Sequence, residues 1–228
     1  MTTDAPFRAA PRDATEVLAA SPVVPVVVIH DVEHAVPLAQ ALLRGGIAII
    51  EVTLRTPAGL GAIERIAAEV PGMLTGAGTV TTPAQVDAVV CAGAQFLVTP
   101  GSPDRLLGAA LGCGLPLLAG ASTITEMMRL HEYGLTGMKF FPAEASGGRD
   151  YLAAVGGPLP ALRFCPTGGI TAATAPDYLA LPNVLCVGGS WLTPPGAVEQ
   201  GDWARVQLLA AQAAALSPGV PSAAARRS

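Results

Sequence analysis

Short runs of β-branched and other apolar residues alternate along the chain with Ala/Leu-rich stretches of helical character. The strand-like runs start near Val23 (Val-Val-Pro-Val-Val-Val-Ile), Ile47, Met73, Phe96, Pro116, Gly137, Leu162 and Val184. Between them the pattern predicts helices over 32–44, 58–69, 83–92, 103–112, 124–133, 149–155 and 172–179, with another over 203–216 after the last strand. Several open on Thr/Ser-Pro or Asp start signals and close at Gly.

Strand starts recur about every 23 residues, room for a short strand, a three-turn helix and two short loops. Eight such units are the number that closes a barrel. A doubly wound open sheet usually has fewer strands and often a Gly-rich fingerprint after the first, whereas here the first strand runs into His30-Asp31. The expected architecture is therefore α/β, a small (β/α)8 TIM barrel. The segment 13–20 adds a helix ahead of the first strand that would close the lower end. The chain reads as a single domain over 1–228, with loose tails at about 1–11 and 217–228.

Composition supports a large core. Hydrophobic residues make up 51% of the 228 and charged residues 13%, about half the usual charged share. No uninterrupted apolar stretch reaches the roughly 18 residues of a membrane span, so the hydropathy signals core and no membrane partner. The net charge of -4 and scattered basic residues exclude a sustained stripe for nucleic acid. The first dozen residues carry Asp4, Arg8 and Arg12 without an apolar h-region, so a cytoplasmic location is expected. Cys91, Cys113, Cys165 and Cys186 form no C-x-x-C pair and read as buried, reduced thiols.

The chain has one lysine, Lys139, against twelve arginines. A guanidinium stays protonated and attacks poorly, while an amine can lose its proton and add to a carbonyl. Flanked by Met138, Phe140, Phe141 and Pro142, Lys139 belongs to an apolar strand, where burial disfavours the ammonium form. On the second strand Glu51, Thr53 and Arg55 alternate, and a period of two sends all three to one side of the sheet. Lys139 shares parity with Phe141, so the amine can face Glu51 across the barrel. The plainer reading is a structural ion pair.

Two glycine-rich turns, Thr167-Gly168-Gly169 and Gly188-Gly189-Ser190, follow the seventh and eighth strands, the usual phosphate site of such barrels. Gly76-Ala77-Gly78-Thr79 after the third strand can offer N–H groups and a hydroxyl to a carboxylate, with Arg55 as its cation. His30 and His34 lack an evident third ligand, so no metal is expected, and Asp31 between them reads as a helix cap. His131 reads as structural. Glu144 reads more readily as a helix-start cap than as a rim group, and Arg163 as a charge in the barrel floor.

Glu51-Val52-Thr53-Leu54-Arg55-Thr56, Gly76-Ala77-Gly78-Thr79-Val80, Thr99-Pro100-Gly101, Lys139-Phe140-Phe141-Pro142-Ala143-Glu144, Phe164-Cys165-Pro166-Thr167-Gly168-Gly169-Ile170 and Gly188-Gly189-Ser190-Trp191-Leu192 occur in that order. Together they closely resemble the motifs of the bacterial 2-dehydro-3-deoxy-phosphogluconate (KDPG) aldolase and 4-hydroxy-2-oxoglutarate aldolase family, over about residues 13–216. The resemblance implies a class I (Schiff-base) aldolase that cleaves 2-dehydro-3-deoxy-6-phosphogluconate to pyruvate and glyceraldehyde 3-phosphate without metal or cofactor, and a homotrimer. It implies Lys139 as the Schiff-base lysine and Glu51 as the acid/base. Arg55 and Thr79 match carboxylate-binding positions, and Pro100, Phe141 and Thr167 match positions of the substrate pocket. Gly168, Gly169, Gly188, Gly189 and Ser190 match phosphate-holding positions. The galactonate epimer and 4-hydroxy-2-oxoglutarate are alternative substrates. A phosphate-binding barrel isomerase and a non-catalytic sugar-phosphate-binding module are alternatives of other classes.

Overall fold

A computed structural model describes residues 13–216, so the tails expected at 1–11 and from 217 lie outside the described residues. The eight strands are β1 (Val23–Val27), β2 (Ile49–Thr53), β3 (Leu74–Gly78), β4 (Phe96–Val98), β5 (Leu117–Ala121), β6 (Gly137–Phe140), β7 (Arg163–Pro166) and β8 (Val187–Gly189). The helices are α1 (Ala14–Leu18), α2 (Ala35–Arg44), α3 (Gly59–Glu69), α4 (Pro83–Cys91), α5 (Asp104–Gly112), α6 (Ile124–Glu132), α7 (Gly148–Val155), α8 (Ala175–Leu179), α9 (Pro195–Glu199) and α10 (Trp203–Ala214). Single 3-10 turns occupy Val32–His34 and Glu144–Ser146.

All strand pairs are parallel, in the order β7-β6-β5-β4-β3-β2-β1-β8. Isolated parallel bridges, Phe164 with Val184 and Thr167 with Gly188, join β7 to β8 and close the barrel. An open doubly wound sheet is thereby excluded. Most strand residues are buried on both faces, as a parallel sheet wrapped in helices requires. Helix starts follow the sequence signals. Thr82 with Gln85 and Thr123 with Glu126 form reciprocal capping boxes, and Asp13 and Asp202 cap α1 and α10.

The lower end is filled from two directions. The Phe96 ring lies over Gly76 on the neighbouring strand, where a side chain would collide with it. Outside, α1 packs against the start of β6, where a Cβ on Gly137 would stand 3.0 Å from that of Ala14. This is the closing role expected of the extra helix.

Local differences from the sequence reading have physical causes. β8 begins at Val187, not Val184, because 184–186 belong to the connection from α8, which meets β7 through the isolated Val184 bridge and the bond from the Leu185 amide to Phe164 rather than through a continuous ladder. The expected helix at 172 starts at Ala175, since Thr171 and Thr174 satisfy each other's amides with their hydroxyls, a local competitor of helix. The segment 32–44 opens with a 3-10 turn capped by Asp31, whose carboxylate accepts from the Glu33 amide at 3.0 Å. α9 has five residues including Pro and Gly, too short to show a period. Of the four cysteines expected to be buried, Cys165 and Cys186 are, but Cys113 is half-buried and Cys91, at the last turn of α4, is exposed. All four are free thiols. Among the described residues no helix is long and apolar enough to cross a membrane.

Candidate active site

The register places Glu51 between Val26 of β1 and Gly76 of β3, and Lys139 between Gly120 of β5 and Cys165 of β7. Both side chains turn inward and meet. Lys139 Nζ donates to Glu51 Oε1 at 3.0 Å and lies 3.3 Å from Oε2, with the residues 4% and 3% exposed. Burying such a pair is costly unless the charges compensate each other, and here each supplies the other's counter-charge. The carboxylate is also a proton acceptor within one hydrogen bond of the amine.

Glycine makes this approach possible. Gly78 lies beside β2, where a Cβ would stand 2.5 Å from Glu51 Cγ and closer still to Oε1. Gly120, next to Lys139, lets the turn after β4 pass, because a side chain there would overlap the carbonyls of Thr99 and Pro100. That arrangement sets Pro100 at the barrel mouth. Phe141 follows directly on β6, and Lys139 Nζ lies 5.4 Å from its ring centroid. The Phe141–Pro142 peptide is cis.

Thr53, on the same face as Glu51, is consumed by structure: its hydroxyl donates to the Val27 carbonyl at 2.9 Å. Arg55 lies beyond the strand, and its Nε donates to Thr79 Oγ1 at 3.2 Å. Thr79 has φ 58. A β-branched residue in that left-handed region is strained by roughly 1–3 kcal/mol, and such strain gathers at functional sites. Arg55 and Ser190 also line a cavity of about 350 Å³ between the ends of β8, β1 and β2, together with Val26, His30 and Thr193.

Thr167 is buried, and Gly188 faces it across the barrel seam, where a Cβ would overlap the hydroxyl. Gly168 and Gly169 form a left-handed turn, φ 104 and 82. The second glycine pair behaves differently from the expected turn. Gly188 and Gly189 are the last residues of β8 with ordinary strand backbone, and they serve by leaving room for Thr167 and Trp191. The turn itself begins at Ser190, which is exposed.

Other expected residues separate from this group. The His34 ring packs edge-on against Trp203 at 5.6 Å, and no group of three metal-ligating side chains exists among the described residues. Arg163 binds the carbonyls of Pro160 and Leu162 at 2.9 and 2.8 Å, consistent with a charge tethering the barrel floor. Glu144 caps no helix; its carboxylate accepts a 2.7 Å bond from the Tyr178 hydroxyl instead. Tyr178 was not suggested by the sequence, where it reads as one more apolar helix position. Cys186 touches Cys165 inside the barrel, and this contact, with burial next, raises its thiol pKa well above the usual range, so it stays protonated.

A buried amine and its carboxylate inside the barrel, with a cation–hydroxyl pair and a glycine turn just beyond the strand ends, define a barrel enzyme of the amine-dependent aldolase class. The model of the family "KDPG and KHG aldolase" matches residues 14–209, and the chain belongs to that family. It is 54% identical over 205 residues to a 2-dehydro-3-deoxy-phosphogluconate aldolase of Pseudoalteromonas atlantica, covering 90% of this chain and 95% of that protein. Among solved structures it is similar to the KDPG aldolase of Legionella pneumophila with pyruvate captured as a covalent carbinolamine, at TM-score 0.87 and 45% identity over 89% of this chain and 98% of that one. It is equally similar to the Zymomonas mobilis enzyme with 3-phosphoglycerate, at TM-score 0.87 and 43% identity over 92% and 99%.

Proposed function

We propose that this chain is a class I aldolase cleaving 2-dehydro-3-deoxy-6-phosphogluconate, with Lys139 as nucleophile and Glu51 as acid/base. The observation that carries this reading is the buried amine 3.0 Å from a buried carboxylate inside the barrel. Glu51 takes a proton from the ammonium, and the free amine adds to the C2 ketone to form a carbinolamine. Protonated Glu51 then supplies the proton with which the hydroxyl leaves as water, giving an iminium. The iminium withdraws electrons while Glu51 accepts the C4 hydroxyl proton. The C3–C4 bond breaks, releasing glyceraldehyde 3-phosphate and leaving an enamine. Protonation at C3 and hydrolysis free pyruvate and restore the amine.

Arg55 and Thr79, joined by a hydrogen bond, are assigned to the pyruvate carboxylate, Pro100 and Phe141 to the pocket wall, and Thr167 to the aldehyde portion. The Gly168–Gly169 turn with Gly188, Gly189 and Ser190 is assigned to the phosphate, which favours phosphorylated substrates over 4-hydroxy-2-oxoglutarate. Reaction with pyruvate followed by borohydride should leave a stable adduct on the peptide containing Lys139. An intact protein without adduct, or an adduct elsewhere, would overturn the assignment. Relative cleavage rates for the gluconate and galactonate epimers test the substrate choice. The family likeness further supports a single-domain homotrimer, which light scattering should report as three times the 22.9 kDa chain mass. The acidic net charge and free thiols fit a cytoplasmic enzyme.

A further inference from the structure

Outside the amine–carboxylate pair, a second pair of side chains ties α8 to the loop after β6. Tyr178 of α8 is 2% exposed, and its hydroxyl donates to Glu144 of the loop after β6 at 2.7 Å. Burial, then the Glu144 carboxylate, push the phenol above its ordinary range, so it remains a proton donor throughout the physiological span.

Glu144 in turn lies flat on the glycine turn. A Cβ on Gly169 would stand 2.6 Å from Glu144 Cγ and 2.8 Å from its Cβ. The backbone joins in: the Glu144 amide donates to the Gly168 carbonyl at 3.1 Å, and the Ala143 amide to the Thr167 carbonyl at 2.8 Å. The turn is thus gripped by one residue's backbone and side chain, and that side chain is fixed by Tyr178. Released from the hydroxyl, a carboxylate beside a turn whose N–H groups are assigned to the phosphate would compete with it for them.

We propose that the Tyr178–Glu144 hydrogen bond is a positioning device that shapes the Gly168–Gly169 turn and holds its own carboxylate away from the substrate's phosphate. This rests on the assignment of that turn to the phosphate. Tyr178→Phe keeps the ring in the core and deletes the tie. It should raise KM for the phosphorylated substrate about three- to tenfold, the weight of one hydrogen bond to a charged group, with kcat within twofold. Half-saturation for pyruvate in enzyme-catalysed exchange of its methyl protons, which leaves the phosphate turn empty, should not move. Adding Glu144→Gln removes the competing charge and should restore most of the lost affinity.

An unchanged KM, an equal shift in the pyruvate exchange, or no recovery in the double variant would overturn the proposal. Competitive inhibition by inorganic phosphate separates it from the underlying assignment. If phosphate inhibition is indifferent to Ser190→Ala as well as to Tyr178→Phe, the phosphate assignment falls. If it responds to Ser190→Ala alone, only the positioning role falls.

Discussion

At the residue scale, the site depends on what its glycines leave out as much as on what its charged groups supply. Lys139→Arg keeps a cation beside Glu51 but no usable nucleophile, so cleavage and borohydride trapping should both vanish while circular dichroism stays native. Gly78→Ala is the complementary test. Its methyl group would occupy the space of Glu51 Cγ, and displacing that carboxylate by about 1 Å should lower kcat on the order of 100-fold, measured by steady-state cleavage. Thr79→Gly removes a left-handed strain of roughly 1–3 kcal/mol while adding about 1 kcal/mol of unfolded-state freedom. The variant should melt no lower than wild type yet show a raised KM, since Arg55 loses its hydroxyl partner. That Lys139 and Glu51 meet was legible in the sequence because strand parity and the rarity of lysine leave marks there, and the Arg55–Thr79 contact because a Gly-Ala-Gly-Thr turn follows the third strand. Tyr178 was not, since a tyrosine whose hydroxyl finds a partner thirty-odd residues away looks locally like any buried aromatic.

At the element scale, the helices show which signals reach the sequence. Start signals such as Thr82-Pro83 and Asp202 are local and were readable; α9 and the late start of α8 were not, because one is too short for periodicity and the other is decided by a threonine pair. The α6 box has a pH signature. Burial by itself would raise the Glu126 pKa, but bonds from the Ser122 and Thr123 amides and hydroxyls outweigh it, and the net shift is downward. A depressed folded pKa contributes stability that is present above the unfolded value, near 4.3, and is lost as pH falls through the folded one. Glu126→Gln should therefore lower thermal stability at pH 7 by about 1 kcal/mol or less, with the gap to wild type closing below about pH 4. A gap that persists in acid would show that the charge is irrelevant to the cap.

At the scale of the whole molecule, eight repeats foretold the barrel, but how the ring closes depends on contacts distant in sequence. Seven neighbouring pairs form ladders, and the eighth, β7 with β8, is held by isolated bridges and by bonds such as that from the Leu185 amide to Phe164. Native-state hydrogen exchange should find the Leu185 amide exchanging at least about tenfold sooner than amides of β3, whose ladder to β2 is continuous. Equal protection would show the ring to be uniformly stable.

The plugged floor, with Phe96 inside and α1 outside, makes the barrel a cul-de-sac. Under the proposed chemistry both fragments must leave by the door through which the sugar acid entered. The three-carbon piece tethered to Lys139 sits at the dead end, so the phosphorylated aldehyde departs first and pyruvate follows. In the synthetic direction the queue reverses: pyruvate must be aboard before the aldehyde arrives, and excess aldehyde should slow the enzyme by blocking the way in.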